Sequence, residues 1–406
     1  MSQIVIVGAG PGGATLALLL AQRGISVTLI EASNTFQRTF RGEGLMPSGL
    51  DALHQMGLTA VLQGIPHRPL TAWEFWINGR SLFRVQEPIE PGGEPCTLVS
   101  QSALLTALID QLSHYPHVEF VQGVAVQDLL TSNGRVSGVR LADHRAIAAS
   151  LVIATDGRNS VARRQANLSL QHQSNAFDIL WFRLADSPQF EAENIFYSIV
   201  QGQHAFGLFR SSEGNLQVGW ALGDRTQDWK QIDWAKTLAS ASPDWLADHF
   251  RTVADSLERP VLLSVVVGRC PQWWVPGLLL LGDAAHPMSP IRAQGINMAL
   301  RDSIVAANHL VPLMQGVSQA AIPSSEELVC IDQVLPQIQA AREPEIMRAQ
   351  QLQHQEAAQA ELLGNYPLLQ WGVSQFAPLI RYPVRYSWVA RQRQLRQGVT
   401  SVQLAV

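Results

Sequence analysis

The sequence predicts an α/β protein: a Rossmann-like sheet with an antiparallel sheet inserted into it and a helical segment toward the C-terminal end. Three observations predict this. An all-apolar run, Ile4-Val5-Ile6-Val7, stops at Gly8-Ala9-Gly10-Pro11-Gly12-Gly13, as expected of a strand covered on both faces that runs into a tight turn. Two regions far apart in the chain, Trp73 to Val85 and Phe177 to Leu222, alternate apolar and polar residues, the pattern of half-buried antiparallel strands. From about Pro336 to Leu363 the chain is rich in Gln and Ala, a helical composition.

The elements follow in order. From Ala14 to Arg23 apolar residues recur at helical spacing, Gly24 ends the helix, and Val27 to Glu31 resumes as a second strand, which completes a βαβ unit. Trp73 to Val85 turns at Asn78-Gly79 and joins Phe177 to Leu222 in one antiparallel sheet. Between His117 and Gly157 lie short strands with turns at Asn133-Gly134 and Ala142-Asp143-His144, before a buried strand at Leu151 to Thr155. A helical stretch is expected over roughly Ile232 to Arg251, strands at Val261 to Val267 and Leu278 to Leu281, and a helix from Gly295. In the Gln-rich segment, Pro344 is expected to mark a break or a new first turn.

Composition bounds the function. At 406 residues the chain can hold about two to three domains. Hydrophobic residues make up 47% and charged residues 15%, against about 25% charged in an average chain, which excludes disorder. Twenty-nine basic and 33 acidic residues leave a net charge of −4, so no overall field draws nucleic acid. Cys96, Cys270 and Cys330 form neither a CxxC pattern nor a disulfide framework; no metal is expected, and a cytoplasmic location fits. The first twenty-two residues carry no charge, but they lack a basic lead and are interrupted by glycines, unlike an export signal. Later uncharged stretches are broken by Pro, His and Asn, so a soluble protein is expected.

Three motifs carry chemistry. Gly8-x-Gly10-x-x-Gly13 lets the backbone approach a pyrophosphate lying on the N-terminus of the next helix. Glu31, twenty-three residues after Gly8, can accept from a ribose hydroxyl. By itself, such a turn also occurs in unrelated α/β proteins. The second motif is Ala154-Thr155-Asp156-Gly157-Arg158-Asn159-Ser160-Val161-Ala162-Arg163. The third is Gly282-Asp283-Ala284-Ala285-His286-Pro287, followed by Pro290, Gln294, Gly295, Ile296, Asn297 and Asp302.

Together these resemble the three fingerprints of the single-component flavoprotein monooxygenases, the family of p-hydroxybenzoate hydroxylase and the ubiquinone-ring hydroxylases. The resemblance implies a glutathione-reductase-type FAD-binding domain made of residues 1–66, 97–167 and 262–365. It also implies a substrate-binding sheet domain of residues 67–96 and 168–261, and a helical, basic segment of residues 366–406. It implies non-covalent FAD, with Gly8, Gly10, Pro11, Gly12, Gly13 and Glu31 on the ADP half. Arg41 and Gln101 would touch the ribityl and phosphate region, and Val126 would lie by the adenine. Asp156 and Gly157 belong to the motif associated with FAD and NAD(P)H, and Asp283 would meet the ribityl hydroxyls or pyrophosphate. Relatives commonly carry Gly where Ala293 stands and a small residue at Arg292, so the loop facing the flavin is expected to be tighter or more polar.

A helix starting near Gly295 favours a negative charge at its N-terminus by ~0.3–2 kcal/mol, which suits anionic reduced flavin. Pro290, Gly295, Ile296 and Asn297 are therefore the candidates near the reacting ring. No nucleophilic triad, metal cluster or carboxylate pair accompanies the motifs. The implied reaction is hydroxylation of an aromatic or unsaturated ring through a C4a-hydroperoxyflavin, with NADPH or NADH as electron donor and O2 as co-substrate. His286 reads as a structural residue, and Trp73, Trp76, Trp181 and Trp220 as candidates for a substrate pocket. Alternatives are a same-fold reductase or halogenase, or a non-catalytic flavin-binding protein. Halogenases rely on an active-site lysine in the first half of the chain, whereas Lys230 and Lys236 are the only lysines.

From Gly364 to Val406 there is no acidic side chain, while Arg381, Arg385, Arg391, Arg393 and Arg396 interleave with Tyr382, Tyr386 and Trp388. Pro378 and Pro383 are expected to break any long amphipathic helix, so packing on the acidic body is expected over peripheral membrane contact.

Overall fold

The computed structural model describes residues 2–37, 43–173, 178–187, 190–223, 228–316 and 324–406. The first strand, Ser2–Val7, pairs in parallel with Val27–Glu31 on one side and Ala146–Ala154 on the other. Leu278–Leu280 and Val118–Gln122 extend this sheet in parallel on either side, and Trp274–Val275 adds an antiparallel edge beyond Leu278–Leu280. Ile4, Val5 and Ile6 are fully buried, because helices cover one face and an antiparallel hairpin, Val126–Ser132 with Arg135–Leu141, covers the other. The helix Pro11–Ala21 packs on the helix Gln294–Gly316, close enough that a Cβ on Gly12 would lie 3.3 Å from that of Ala299.

A second, seven-stranded sheet runs in the order Val261–Leu263, Asp178–Leu184, Leu216–Leu222, His204–Arg210, Ile195–Gln201, Ala72–Ile77, Arg80–Gln86. All neighbours are antiparallel except Ile195–Gln201 and Ala72–Ile77, which pair in parallel. The expectation of one antiparallel sheet is thus corrected at the junction of its two segments. A parallel pair needs a long crossover, and residues 78–194, which pass through the first sheet, supply it. The strand expected over Val261 to Val267 ends at Leu263, and the helical stretch after Ile232 divides at Ser242-Pro243 into Trp234–Ser240 and Asp244–Thr252. Those two helices cover one face of the seven-stranded sheet. The other face lies over Met46, Leu98 and Ala293, at the edge of the first unit.

Ser324 opens a 41-residue helix, Ser325–Asn365, with a capping box to Glu327. It runs unbroken through Pro336 and Pro344, contrary to the expected break. Ile331, Leu335 and Ile338 are fully buried along one stripe, and this packing outweighs the backbone hydrogen bond lost at each proline. Pro367–Gln375 and Ala377–Gln397 follow. Pro378 sits in the first turn of the latter, where no N–H is needed, and the helix continues through Pro383. Residues 398–406 then return to the first unit. The Val399 N–H donates to Glu345 at 2.8 Å, Asn308 bonds both Gln403 and Ala405, and Arg23 donates to the Val406 carbonyl.

Candidate active site

The glycine turn shows two different needs. Gly8 adopts φ +98°, and a Cβ there would lie 2.6 Å from the Thr155 carbonyl oxygen; on Gly13 it would lie 2.0 Å from the Gly8 oxygen. Both glycines are required by the protein's own packing. Gly10 is different: it caps the helix Pro11–Ala21 with φ −70° and ψ −179°, and a Cβ there meets nothing within 4 Å. The space beside Gly10 is open, as a pyrophosphate on the helix N-terminus requires. Glu31, 3% exposed, accepts from Ala9 N–H at 3.0 Å and Ser33 N–H at 2.9 Å, so it braces the turn and sets its own carboxylate at the end of the second strand.

Asp156 follows the strand Ala146–Ala154. Its Oδ2 accepts from Val161 and Ala162 N–H at 2.7 and 3.2 Å, while Oδ1 is buried without a protein partner. Burial pushes its carboxyl above the usual range despite these hydrogen bonds. Gly157, at φ +80°, makes the turn into the helix. Arg163, on that helix, donates to the Ala284 carbonyl at 2.8 Å and so joins the second motif to the third.

Beneath the third motif lies a buried ion network. Asp302 Oδ2 accepts from Gly282 N–H at 3.0 Å and His286 Nε2 at 2.8 Å, and its Oδ1 from Arg342 at 2.7 Å. Arg342 also pairs with Glu345, which Arg301 bonds at 2.9 Å. All five side chains are 3% exposed or less. His286 packs at a tilt against Trp273 with ring centroids 4.8 Å apart; it supports the loop rather than facing the open side.

The motif presents Asp283 outward, at the exposed tip of the turn Gly282–Ala284, and a Cβ on Gly295 would sit 3.7 Å from Asp283 Oδ1. The first-turn N–H groups of Gln294, Gly295 and Ile296 lack intrahelical acceptors, so with Asp283 they are the groups that could hold an anionic edge and a hydroxyl-bearing chain. Neither Ile296 nor Asn297 offers its side chain. Ile296 is packed in the core, and Asn297, fully buried, accepts from Met46 N–H at 2.9 Å and donates to the Gly44 and Ala293 carbonyls. Pro290 is exposed at the turn before this helix, Gln101 opens a helix capped by Ser100, and Val126 is buried at the start of its strand. Arg41 lies outside the described residues.

The second sheet separates the four tryptophans. Trp73 and Trp181 lie on the face that includes Ala293, Met46 and Phe209. Trp76 and Trp220 lie on the opposite face, packed on Trp245 and Trp234 of the covering helices. Those two leave the pocket assignment, because alternate residues of a strand point to opposite faces and Trp220 is adjacent to Gly219, the partner of Trp181.

Arg292 and Ala293 both have positive φ, 58° and 50°. The Arg292 guanidinium turns away from the helix start into a box of Trp73, Phe75 and Trp388 at 5.1–5.5 Å, and pairs with Glu356 at 2.9 Å. The expected polarity of the loop is therefore held inside the aromatic cluster.

Glu43 accepts from Gln217 at 2.9 Å and Ser212 N–H at 3.3 Å, between the glycine-flanked strand Gly44–Leu45 and the second sheet. Burial pushes its carboxyl up to about 7 against those hydrogen bonds. The folded chain keeps this proton between about pH 4.5 and 7 while the unfolded chain has lost it, so stability falls as pH rises through that window. Glu43→Gln is expected to flatten this slope in melting curves taken from pH 5 to 8; an unchanged slope would assign it to another group. Its flanking glycines in Arg41-Gly42-Glu43-Gly44 were the only sequence signal.

Residues 1–324 match the model of a family described as an FAD binding domain. A 6-methylpretetramide 4-monooxygenase from Streptomyces rimosus is 32% identical over 364 residues, covering 87% of this chain and 82% of that protein. The 3-demethoxyubiquinol 3-hydroxylase of Escherichia coli K12 is 27% identical, over 74% of this chain and 77% of its own. In fold, the chain resembles p-nitrophenol 4-monooxygenase from Pseudomonas putida DLL-E4, with a TM-score of 0.78, 16% identity and 99% of each chain covered.

Proposed function

This chain belongs to the FAD binding domain family and is a flavin-dependent monooxygenase, and from that premise we propose that it hydroxylates an aromatic or unsaturated ring compound, with NADPH or NADH as reductant. The meeting at Ala293 supports this reading: Ala293, in the turn entering the Gln294–Gly316 helix, packs against the apolar cluster that includes Trp73 and Trp181. FAD, when bound, supplies hydride acceptance and activation of dioxygen. Gly8 to Gly13 and Glu31 would hold its ADP half non-covalently, and Asp283 with the Gly295 and Ile296 N–H groups its other end. The cofactor domain is then residues 1–66, 97–167 and 262–365. The chain's own work is to bind the ring against the aromatic face and to keep water from the reacting centre. No metal enters this reading.

With a true substrate, stimulated NAD(P)H oxidation should place one atom of labelled O2 in the product and the other in water. Trp181→Ala should raise the fraction of reductant lost to hydrogen peroxide severalfold, whereas Trp220→Ala, on the far face, should lower stability without changing that fraction. Label entering from water, a requirement for halide, or anaerobic reduction of a double bond would each overturn the hydroxylase reading.

A further inference from the structure

We propose that the C-terminal helices form a docking surface for an anionic lipid bilayer, lying on it rather than crossing it. Among the described residues fourteen large apolar side chains are exposed, and nine of them fall between Leu362 and Tyr386. Leu368 is 86% exposed, Leu379 76% and Tyr386 79%. This is not a fraying end. The inner face of the helix Ala377–Gln397 is fixed by buried Trp388, Gln392, Leu395 and Arg396, and Arg396 bonds Glu87 at 2.7 Å. On its outer face Leu379, Tyr382 and Tyr386 follow at three- and four-residue spacing, one side of a helix. Leu362, Tyr366, Pro367, Leu368 and Leu369 line an apolar surface depression of about 370 Å³, which can take an acyl chain.

Charge selects the occupant. No acidic side chain occurs from Leu362 to Val406, and Arg381, Arg385 and Arg393 are exposed there. A second copy of this chain would set these arginines against their own counterparts, whereas anionic headgroups complement them. Tyr and Trp side chains among apolar ones suit the headgroup boundary. No helix of the described residues is long and apolar enough to cross a membrane, so the surface rests in the interface.

The test is sedimentation of the FAD-loaded enzyme with vesicles of phosphatidylcholine, with and without about a third phosphatidylglycerol. The enzyme is expected to partition onto the anionic vesicles about tenfold or more better than onto neutral ones, and less as salt rises. Leu368→Glu/Leu379→Glu should reduce binding about tenfold or more. Arg381→Gln/Arg385→Gln should lose the preference for anionic lipid while keeping residual binding. All the changed side chains are exposed, so bound flavin and melting temperature should match the wild type. Failure to bind either vesicle overturns the proposal. So does a dimer in solution that the Leu368→Glu/Leu379→Glu variant converts to monomer, which would assign the surface to a second copy. The outcome does not depend on turnover, so it stands or falls apart from the hydroxylase reading.

Discussion

Gly10→Val is expected to abolish FAD binding while leaving the fold intact, and Gly13→Ala, three residues on, is expected to destroy the fold. The backbone at Gly10 is extended, a conformation any L-residue adopts, and a Cβ there meets no protein atom within 4 Å. A valine side chain therefore costs the protein little but occupies the space through which a pyrophosphate must approach, with a loss of affinity of about a hundredfold or more. At Gly13 a Cβ would stand 2.0 Å from the Gly8 oxygen and 2.5 Å from Thr155 Oγ1. The strand and helix would have to separate, at roughly 3 kcal/mol or more. Flavin titration and thermal melting distinguish the two outcomes. If Gly10→Val keeps wild-type affinity, the pyrophosphate does not lie at this turn.

Arg342→Met should be the most destabilising single change beneath the cofactor loop. It removes the shared cation from Asp302 and Glu345, both fully buried, and breaking a buried pair in this way costs about 3–5 kcal/mol. Burial alone would raise the Asp302 carboxyl, but the charges and hydrogen bonds of His286 and Arg342 outweigh it and hold the group far below the usual carboxylate range. A depressed folded value gives stability that is present above the unfolded value of about 4 and is lost as pH falls below it. Without Arg342 the carboxyl moves upward, so acid unfolding should begin at higher pH in the variant. Melting curves from pH 7 down to about 3 measure both effects. A variant matching the wild type in melting temperature and acid midpoint would show that the network contributes nothing to the loop.

The cofactor side of the protein was legible because its demands are local. A turn that lets backbone touch backbone needs Gly8 and Gly13 whatever else the chain does, and Asp283 stands in a short motif that fixes its place at a strand end. The second sheet was less legible. Parity alone puts Trp73 and Trp76 on opposite faces, but separating Trp181 from Trp220 needs the register Trp181 to Gly219, which only the paired strand supplies. The parallel junction between residues 72–77 and 195–201 depends on where the first sheet delivers both segments. Proline signals misled at Pro344 and Pro383, where a packed helix face tolerated a missing N–H. Asp302 was visible beside the third motif, but its partner Arg342 lies 40 residues further on, with no motif to announce it.

The tail at residues 398–406 bears on how the protein assembles. Arg23, just past the first helix, bonds the carbonyl of a residue 383 positions away, and Glu345, already paired with Arg301 and Arg342, gains a further donor when the Val399 N–H arrives after the positive-φ turn at Gly398. Contacts this distant in sequence carry a large loop-closure entropy and form late. The first βαβ unit can thus collapse early, yet the support beneath the third motif is completed by some of the most remote contacts in the chain. During refolding, native-like helix and sheet content should precede competence to hold flavin, leaving an interval in which the molecule is ordered but incompletely packed and vulnerable to aggregation.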